Sequence, residues 1–179
     1  MGKRSDFARI PRDFYPTPES AVLPLLPHLE YGAAFVEPCA GDGALVQHLE
    51  AAGMSCQWAY DIEPRADFVD QRDALAIDRD QCGGTSADYI ITNPPWDRKL
   101  LHPMIEAFSY AQPAWLLFDA DWMHTKQSAP FTHLLRKVVS VGRVKWIPDS
   151  KMTGKDNCAW HLFDATSNGQ TLFFGRGAQ

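Results

Sequence analysis

The chain has 179 residues, enough to bury one hydrophobic core and short for two domains. Its 45% hydrophobic and 22% charged content is that of a soluble globular protein, and no segment approaches the about 20 apolar residues of a membrane span. The net charge of −5, taken alone, argues against a nucleic-acid binder, and Lys3, Arg4, Arg9 and Arg12 with no apolar run behind them argue against a signal peptide.

The run Asp13-Phe14-Tyr15-Pro16-Thr17-Pro18-Glu19-Ser20 is too rich in proline for a central strand. It reads as an ordered arm leading into a short helix, with Thr17 as N-cap and Pro18 in the first helical position. Val22, Leu23, Leu25, Leu26 and Leu29 follow, Pro24 and Pro27 keep that helix short or bent, and Gly32 ends it. Ala33–Glu37 is a short apolar strand. The loop Pro38-Cys39-Ala40-Gly41-Asp42-Gly43 then opens into a helix with Ala44, Leu45, Leu49 and Ala52 on one face and Gly53 as its C-cap. Cys56–Asp61 reads as a second strand and Phe68–Asp73 as a short third. An Asp- and Gly-rich connection, Asp78–Ser86, leads to the strand Tyr89–Thr92. That strand must end near Asn93, because Pro94 and Pro95 bring no N–H to a ladder. Leu100–Ala111 is expected to be helical, Pro113–Phe118 a fifth strand and Phe131–Val138 a helix. Val139–Ile147 and Cys158–Phe163 read as strands flanking the polar loop Pro148–Asn157, and Thr171–Phe174 as an edge piece.

Strands alternating with helices, followed by two strands in succession, predict an α/β fold: a mostly parallel sheet with helices on both faces and an antiparallel hairpin at the end. Ligands of such sheets bind beyond the carboxyl ends of the strands. Glu37, Asp61, Asp73 and Asn93 all fall at or just after expected strand ends, which places them on one crevice.

Asn93-Pro94-Pro95-Trp96 joins an amide oxygen, backbone carbonyls without strand partners and an indole, a set suited to a flat group carrying an exocyclic amine. The alternative for these four residues alone is a turn with a buried Trp. Gly41 and Gly43 let a ligand approach the backbone at a helix N-terminus, although the third glycine of the dinucleotide fingerprint is missing. Asp61 can accept both hydroxyls of a ribose and Asp73 can accept from an adenine amine; singly, each also reads as a solvated strand-end acid.

In order and spacing, Tyr15-Pro16-Thr17-Pro18, Glu37-Pro38-Cys39-Ala40-Gly41-Asp42-Gly43, Asp61, Asp73-Ala74 and Asn93-Pro94-Pro95-Trp96 resemble the S-adenosylmethionine-dependent adenine-N6 DNA methyltransferases, including small phage and prophage members. The resemblance spans about residues 13–163. It implies the Rossmann-like class I methyltransferase fold, a seven-stranded sheet whose last strand is antiparallel, with S-adenosylmethionine as cofactor. It further implies that Tyr15, Thr17 and Pro18 form an arm near the methionine end of the cofactor. Glu37, Pro38, Ala40, Gly41 and Gly43 match the cofactor loop, Asp61 the ribose ligand, Ile62 an adenine-packing residue, and Asp73 with Ala74 the adenine-amine site. Asn93, Pro94, Pro95 and Trp96 match the catalytic motif, which implies direct methyl transfer to the N6 amine of a flipped-out adenine.

A single methyltransferase domain over residues 1–179 is expected: an arm at 1–20, a cofactor-binding half at 33–92 and a catalytic, substrate-facing half at 93–163, with no room for a separate target-recognition domain. Sequence discrimination is therefore expected to be short or weak. Residues 13–92 hold fourteen acids against three arginines, and residues 93–155 nine Lys or Arg against five acids, so the second half suits an anionic partner. Trp122, His124, Arg136, Lys137, Lys151 and Lys155 are the candidate substrate-binding residues, joined by Arg143, Lys145 and the basic N-terminus, with DNA the expected nucleic acid. Cys39, Cys56, Cys82 and Cys158 show neither zinc spacing nor a disulfide pattern, which points to no metal and to reduced thiols in a cytosol; the resemblance implies that this is the cytosol of a bacterium or phage-infected host. No membrane partner is expected, and the oligomeric state cannot be read. RNA adenine-N6 methylation, protein glutamine methylation and a non-catalytic cofactor-binding accessory subunit remain alternatives, because RNA adenine and glutamine likewise present a planar amine.

Overall fold

A computed structural model describes residues 14–76, 87–147 and 153–177. The basic N-terminus, the whole Asp78–Ser86 connection with Cys82, and Lys151 lie outside the described residues. The elements are α1 (Glu19–Val22), β1 (Ala34–Glu37), α2 (Ala44–Ala51), β2 (Ser55–Asp61), β3 (Asp70–Gln71), β4 (Tyr89–Thr92), α3 (Arg98–Ala111), β5 (Ala114–Asp119), β6 (Leu135–Arg143), β7 (Asn157–Phe163) and β8 (Leu172–Phe174). They form one eight-stranded sheet in the order β3-β2-β1-β4-β5-β7-β6-β8. β7 runs antiparallel to both β5 and β6, and the other pairings are parallel. The expected seven strands thus become eight, because the edge piece near Thr171 pairs with β6.

Alternation along the strands divides the core between the two faces. Phe35, Ile91, Trp115 and Leu117 pack with Leu45 and Leu49 of α2 and Val22 of α1, while Val36, Ile90, Leu116 and Phe118 pack with Leu101, Ile105 and Phe108 of α3. Trp160 of β7 donates its indole N–H to the Ala21 carbonyl at 2.7 Å, which ties α1 to the sheet. α2 stops at Gly53, whose φ of 91° only glycine adopts readily and whose N–H reaches the Glu50 carbonyl.

Three local readings change. Phe131–Val138 is not a helix: a one-turn helix at Lys126–Phe131 is followed by β6. The register of β6 against β7 slips between Leu135 and Lys137 and again between Ser140 and Gly142. The first slip goes with the departure from strict alternation of Leu134, Leu135, Val138 and Val139, which are spaced as on a helix. The third strand shrinks to two residues, and Phe68 folds over Gly43 instead of continuing it. Thr17 does not cap α1. Pro18 holds the cap position at φ −73° and ψ 151°, and the Thr17 side chain turns toward Asn93.

Candidate active site

β1 lies between β2 and β4, so successive connections leave it in opposite directions and open a crevice above its carboxyl end. A cavity of about 720 Å³ occupies that crevice. Tyr15, Thr17, Glu37, Pro38, Ala40, Gly41, Asp61, Ile62, Asp73, Ala74, Asn93, Pro94, Pro95, Trp96 and Lys155 line it, so the arm, the glycine loop, the strand-end acids and the proline motif share one wall.

Gly41 carries φ +54°, and its carbonyl accepts the Arg65 N–H at 2.9 Å. A side chain there would collide with the Phe14 ring, and the Arg65 guanidinium lies 3.7 Å over the same ring. The Asp61 carboxylate is held by backbone on both oxygens: Oδ2 accepts the Gly41 N–H at 2.8 Å and Oδ1 the Glu63 N–H at 2.7 Å. Each oxygen keeps a lone pair, so the group is fixed in direction and still able to accept two hydroxyls. Asp73 Oδ1 accepts the Leu75 N–H at 2.9 Å in the same manner.

Glu37 is 1% exposed, and its Oε2 has no hydrogen-bond partner among the described residues. Burial, reinforced by the negative charges of Asp61 and Asp42, pushes its carboxyl well above the ordinary value of 4.5. A buried acid with an unfilled oxygen on a cavity wall suits a cation, which supplies the counter-charge that ionisation requires. Burial and nearby carboxylates likewise push the neighbouring Cys39 thiol far up, so it stands in the wall as a neutral group and not as a nucleophile.

Asn93 follows the last residue of β4 and donates its Nδ2 to Thr17 Oγ1 at 3.1 Å. Beside it, Trp96 meets Trp146 edge to face, with ring centroids 6.0 Å apart at 83°, and Tyr15 lies 6.4 Å from Trp146. Trp146 is a wall residue that periodicity concealed, since it read as one more apolar position of the expected strand Val139–Ile147. It lies three residues beyond β6, and the Gly154 N–H bonded to the Val144 carbonyl at 2.8 Å brings Gly154, Lys155 and Asp156 to the cavity alongside it. Phe14, Arg65, Leu100 and Met104 are further wall residues without a recognisable local signal.

Other candidates stand elsewhere. Pro18 caps α1 and Gly43 lies under Phe68; neither lines the cavity. Trp122 is 2% exposed, donates its indole N–H to His102 Nε2 at 3.1 Å and packs against Phe118, which leaves no open ring face. His124 is exposed at the end of the one-turn helix Ala120–His124 and outside the cavity. Arg136 donates to the carbonyls of His133, Leu135 and Ser167 at the start of β6. Register pairs Leu135 with Phe163 and Arg143 with Asn157, so Arg136 and Lys137 sit at the amino edge of the sheet, whereas Arg143 and Lys145 sit on the cavity's side. Among the described residues no group of three or more His, Cys, Asp or Glu is arranged to hold a metal, and no helix is long and apolar enough to cross a membrane.

No protein-family model and no curated protein matches the chain. Solved structures do. A Listeria monocytogenes protein assigned as a class I S-adenosylmethionine-dependent methyltransferase superposes with TM-score 0.56 over 90% of this chain at 11% identity. This is the class I methyltransferase fold. A Pyrococcus horikoshii protein assigned as an RNA methyltransferase shares it, with TM-score 0.54, 16% identity and coverage of 84% of this chain and 85% of that one. So does the methyltransferase subunit of a type I restriction-modification system from Streptococcus thermophilus, with TM-score 0.57, 9% identity and coverage of 92% of this chain. The chain spans 66% of the Listeria protein and 49% of the Streptococcus subunit.

Proposed function

We propose that the cavity binds S-adenosylmethionine and that the chain transfers its methyl group to the N6 amine of adenine in DNA. The observation that carries this reading is the meeting, in one 720 Å³ cavity, of a buried unpartnered Glu37 with the amide of Asn93 and the ring of Trp96. Cavities of this size hold a nucleoside-sized ligand with room for a second flat group. Glu37 suits the positive charge that this cofactor carries, Asp61 its ribose, and Asp73 with Ile62 and Ala74 its adenine. When bound, the cofactor supplies a methyl group on a sulfonium, which departs readily.

The protein's own contribution is positioning and charge. Adenine N6 is a weak nucleophile because its lone pair is delocalised into the ring. Acceptance of its two N–H bonds by Asn93 Oδ1 and the Pro94 carbonyl favours a pyramidal nitrogen and stabilises the charge that develops on it. Trp96, set perpendicular to Trp146, offers a ring on which an extruded base stacks. Asn93 is no base, so the proton leaves the nitrogen after the transfer. Arg143, Lys145 and Lys155, on the cavity's side of the sheet, supply the phosphate contacts.

The test is methyl transfer from labelled cofactor to matched DNA, RNA and protein acceptors. Label in DNA adenine supports the reading, label confined to RNA or glutamine transfers the same chemistry to another acceptor, and tight cofactor binding with no transfer to any of them overturns it.

A further inference from the structure

Thr17 is 5% exposed and belongs to the arm, yet its hydroxyl neither caps α1 nor faces solvent; Oγ1 accepts the Asn93 Nδ2 amide across 76 residues of chain. The two amide heteroatoms diverge from one carbon, so fixing Nδ2 on Thr17 turns Oδ1 away from the arm. Reversal of the amide would present two N–H donors where an acceptor is needed, and donor facing donor is the arrangement an amine substrate tolerates least. We propose that Thr17 is a positioning residue that sets the sense of the Asn93 amide, and so couples the arm on the cofactor side of the cavity to the acceptor side. This rests on the functional reading above and adds to it a residue that acts through Asn93.

A hydroxyl both donates and accepts, so the sense of the pair depends on where the Thr17 proton goes. An acceptor atom carried into the cavity beside the arm takes that proton, leaves Oγ1 as the acceptor for Nδ2, and holds Oδ1 outward. Asn93 is then oriented best after the cofactor has entered. The arm thereby imposes an order, with the cofactor first and the methyl acceptor second.

The isosteric variant Thr17→Val removes the hydroxyl without emptying its place, and Thr17→Ser retains it. Two readouts are taken on the intact chain. In the first, methyl transfer to DNA, T17V lowers kcat by about 10- to 100-fold, the effect of one unmade buried hydrogen bond, and lowers cofactor affinity only by the about 2- to 10-fold of one lost hydroxyl contact, while T17S restores both. In the second, the side-chain NH₂ signal of Asn93 is assigned by its disappearance in N93D. S-adenosylmethionine slows hydrogen exchange of that signal in the wild type and in T17S but not in T17V. Thermal unfolding confirms that both variants fold. Equal losses of cofactor affinity and kcat in T17V make Thr17 a simple cofactor ligand and overturn the proposal, as does T17S behaving like T17V or an exchange rate blind to the hydroxyl. Failure of the wild type to methylate any acceptor overturns the functional reading alone, and the Asn93 signal still decides the role of Thr17.

Discussion

Replacing Glu37 with Gln is expected to stabilise the unliganded protein and to weaken its cofactor binding. The Glu37 carboxyl is raised well above 4.5, chiefly by burial, so the folded chain holds a proton that the unfolded chain has already released. Stability of the unliganded wild type therefore falls as pH rises from that ordinary value through the raised one, by up to about 1.4 kcal/mol for each unit of the shift. Gln carries no such proton, so E37Q matches the wild type below the window and exceeds it above. A bound cation reverses the preference. It favours the ionised carboxylate, so binding expels the proton and affinity rises with pH until the group is ionised without ligand. The charge-assisted contact contributes about 1.5–3 kcal/mol, or about 10- to 150-fold in Kd, less at low pH where ionisation offsets part of it. Titration calorimetry with S-adenosylmethionine in two buffers of different ionisation heat counts the proton directly, and denaturant unfolding across pH measures stability. If E37Q binds as tightly as the wild type, or if the wild type releases no proton and its affinity is flat with pH, Glu37 does not receive the cation.

Asn93→Ala and Trp96→Ala are expected to lower methylation by about 100-fold or more while cofactor binding, followed by calorimetry, survives, as the proposed contact of both with the acceptor requires. Removal of Arg143, Lys145 and Lys155 together is expected to flatten the dependence of DNA binding on salt by about 0.7–0.9 in log–log slope per lost phosphate contact. Removal of Arg136 and Lys137 at the opposite edge should leave that slope as it was, and the two titrations side by side decide it. His161 is fully buried, and burial lowers its pKa to about 3 against the opposing pull of the Leu116 and Ala159 backbone. The unfolded chain takes up that proton first, so stability is full above pH 6.5 and declines as pH falls toward 3. Acid unfolding of His161→Phe, which keeps a ring against Phe118, should show a shallower decline.

The parts of the fold and site legible in the sequence are those written by local chemistry. Pro94 and Pro95 stop β4 at Thr92 whatever surrounds them, and Gly53 closes α2 because few other residues adopt its φ. Glu37 and Asp61 mark strand ends because their carboxyls gain from loop N–H groups or ligands there and lose inside a sheet. What stayed hidden depends on partners distant in sequence. β6 pairs with β7 through two register slips, which accommodate an apolar spacing that does not alternate as a regular strand does. Trp146 lines the cavity beside Gly154, whose N–H bonds the Val144 carbonyl, a contact between residues ten apart that periodicity does not show. Trp122 and Arg136 read from sequence as candidate substrate contacts; in the fold the first is buried among His102 and Phe118 and the second is bound to three carbonyls. Thr17 carries the signature of a helix cap and is taken instead by Asn93, a competition that no window shorter than 76 residues can show.

In the proposed reaction Asn93 and Trp96 present an adenine amine to a cofactor held over Glu37 and Asp61. The most direct measurement is incubation of the protein with isotope-labelled S-adenosylmethionine and unmethylated DNA, followed by digestion to nucleosides and mass analysis. Labelled N6-methyladenine that disappears in N93A is expected; labelled DNA carrying the methyl on cytosine, or N6-methyladenine undiminished in N93A, would contradict the proposed roles.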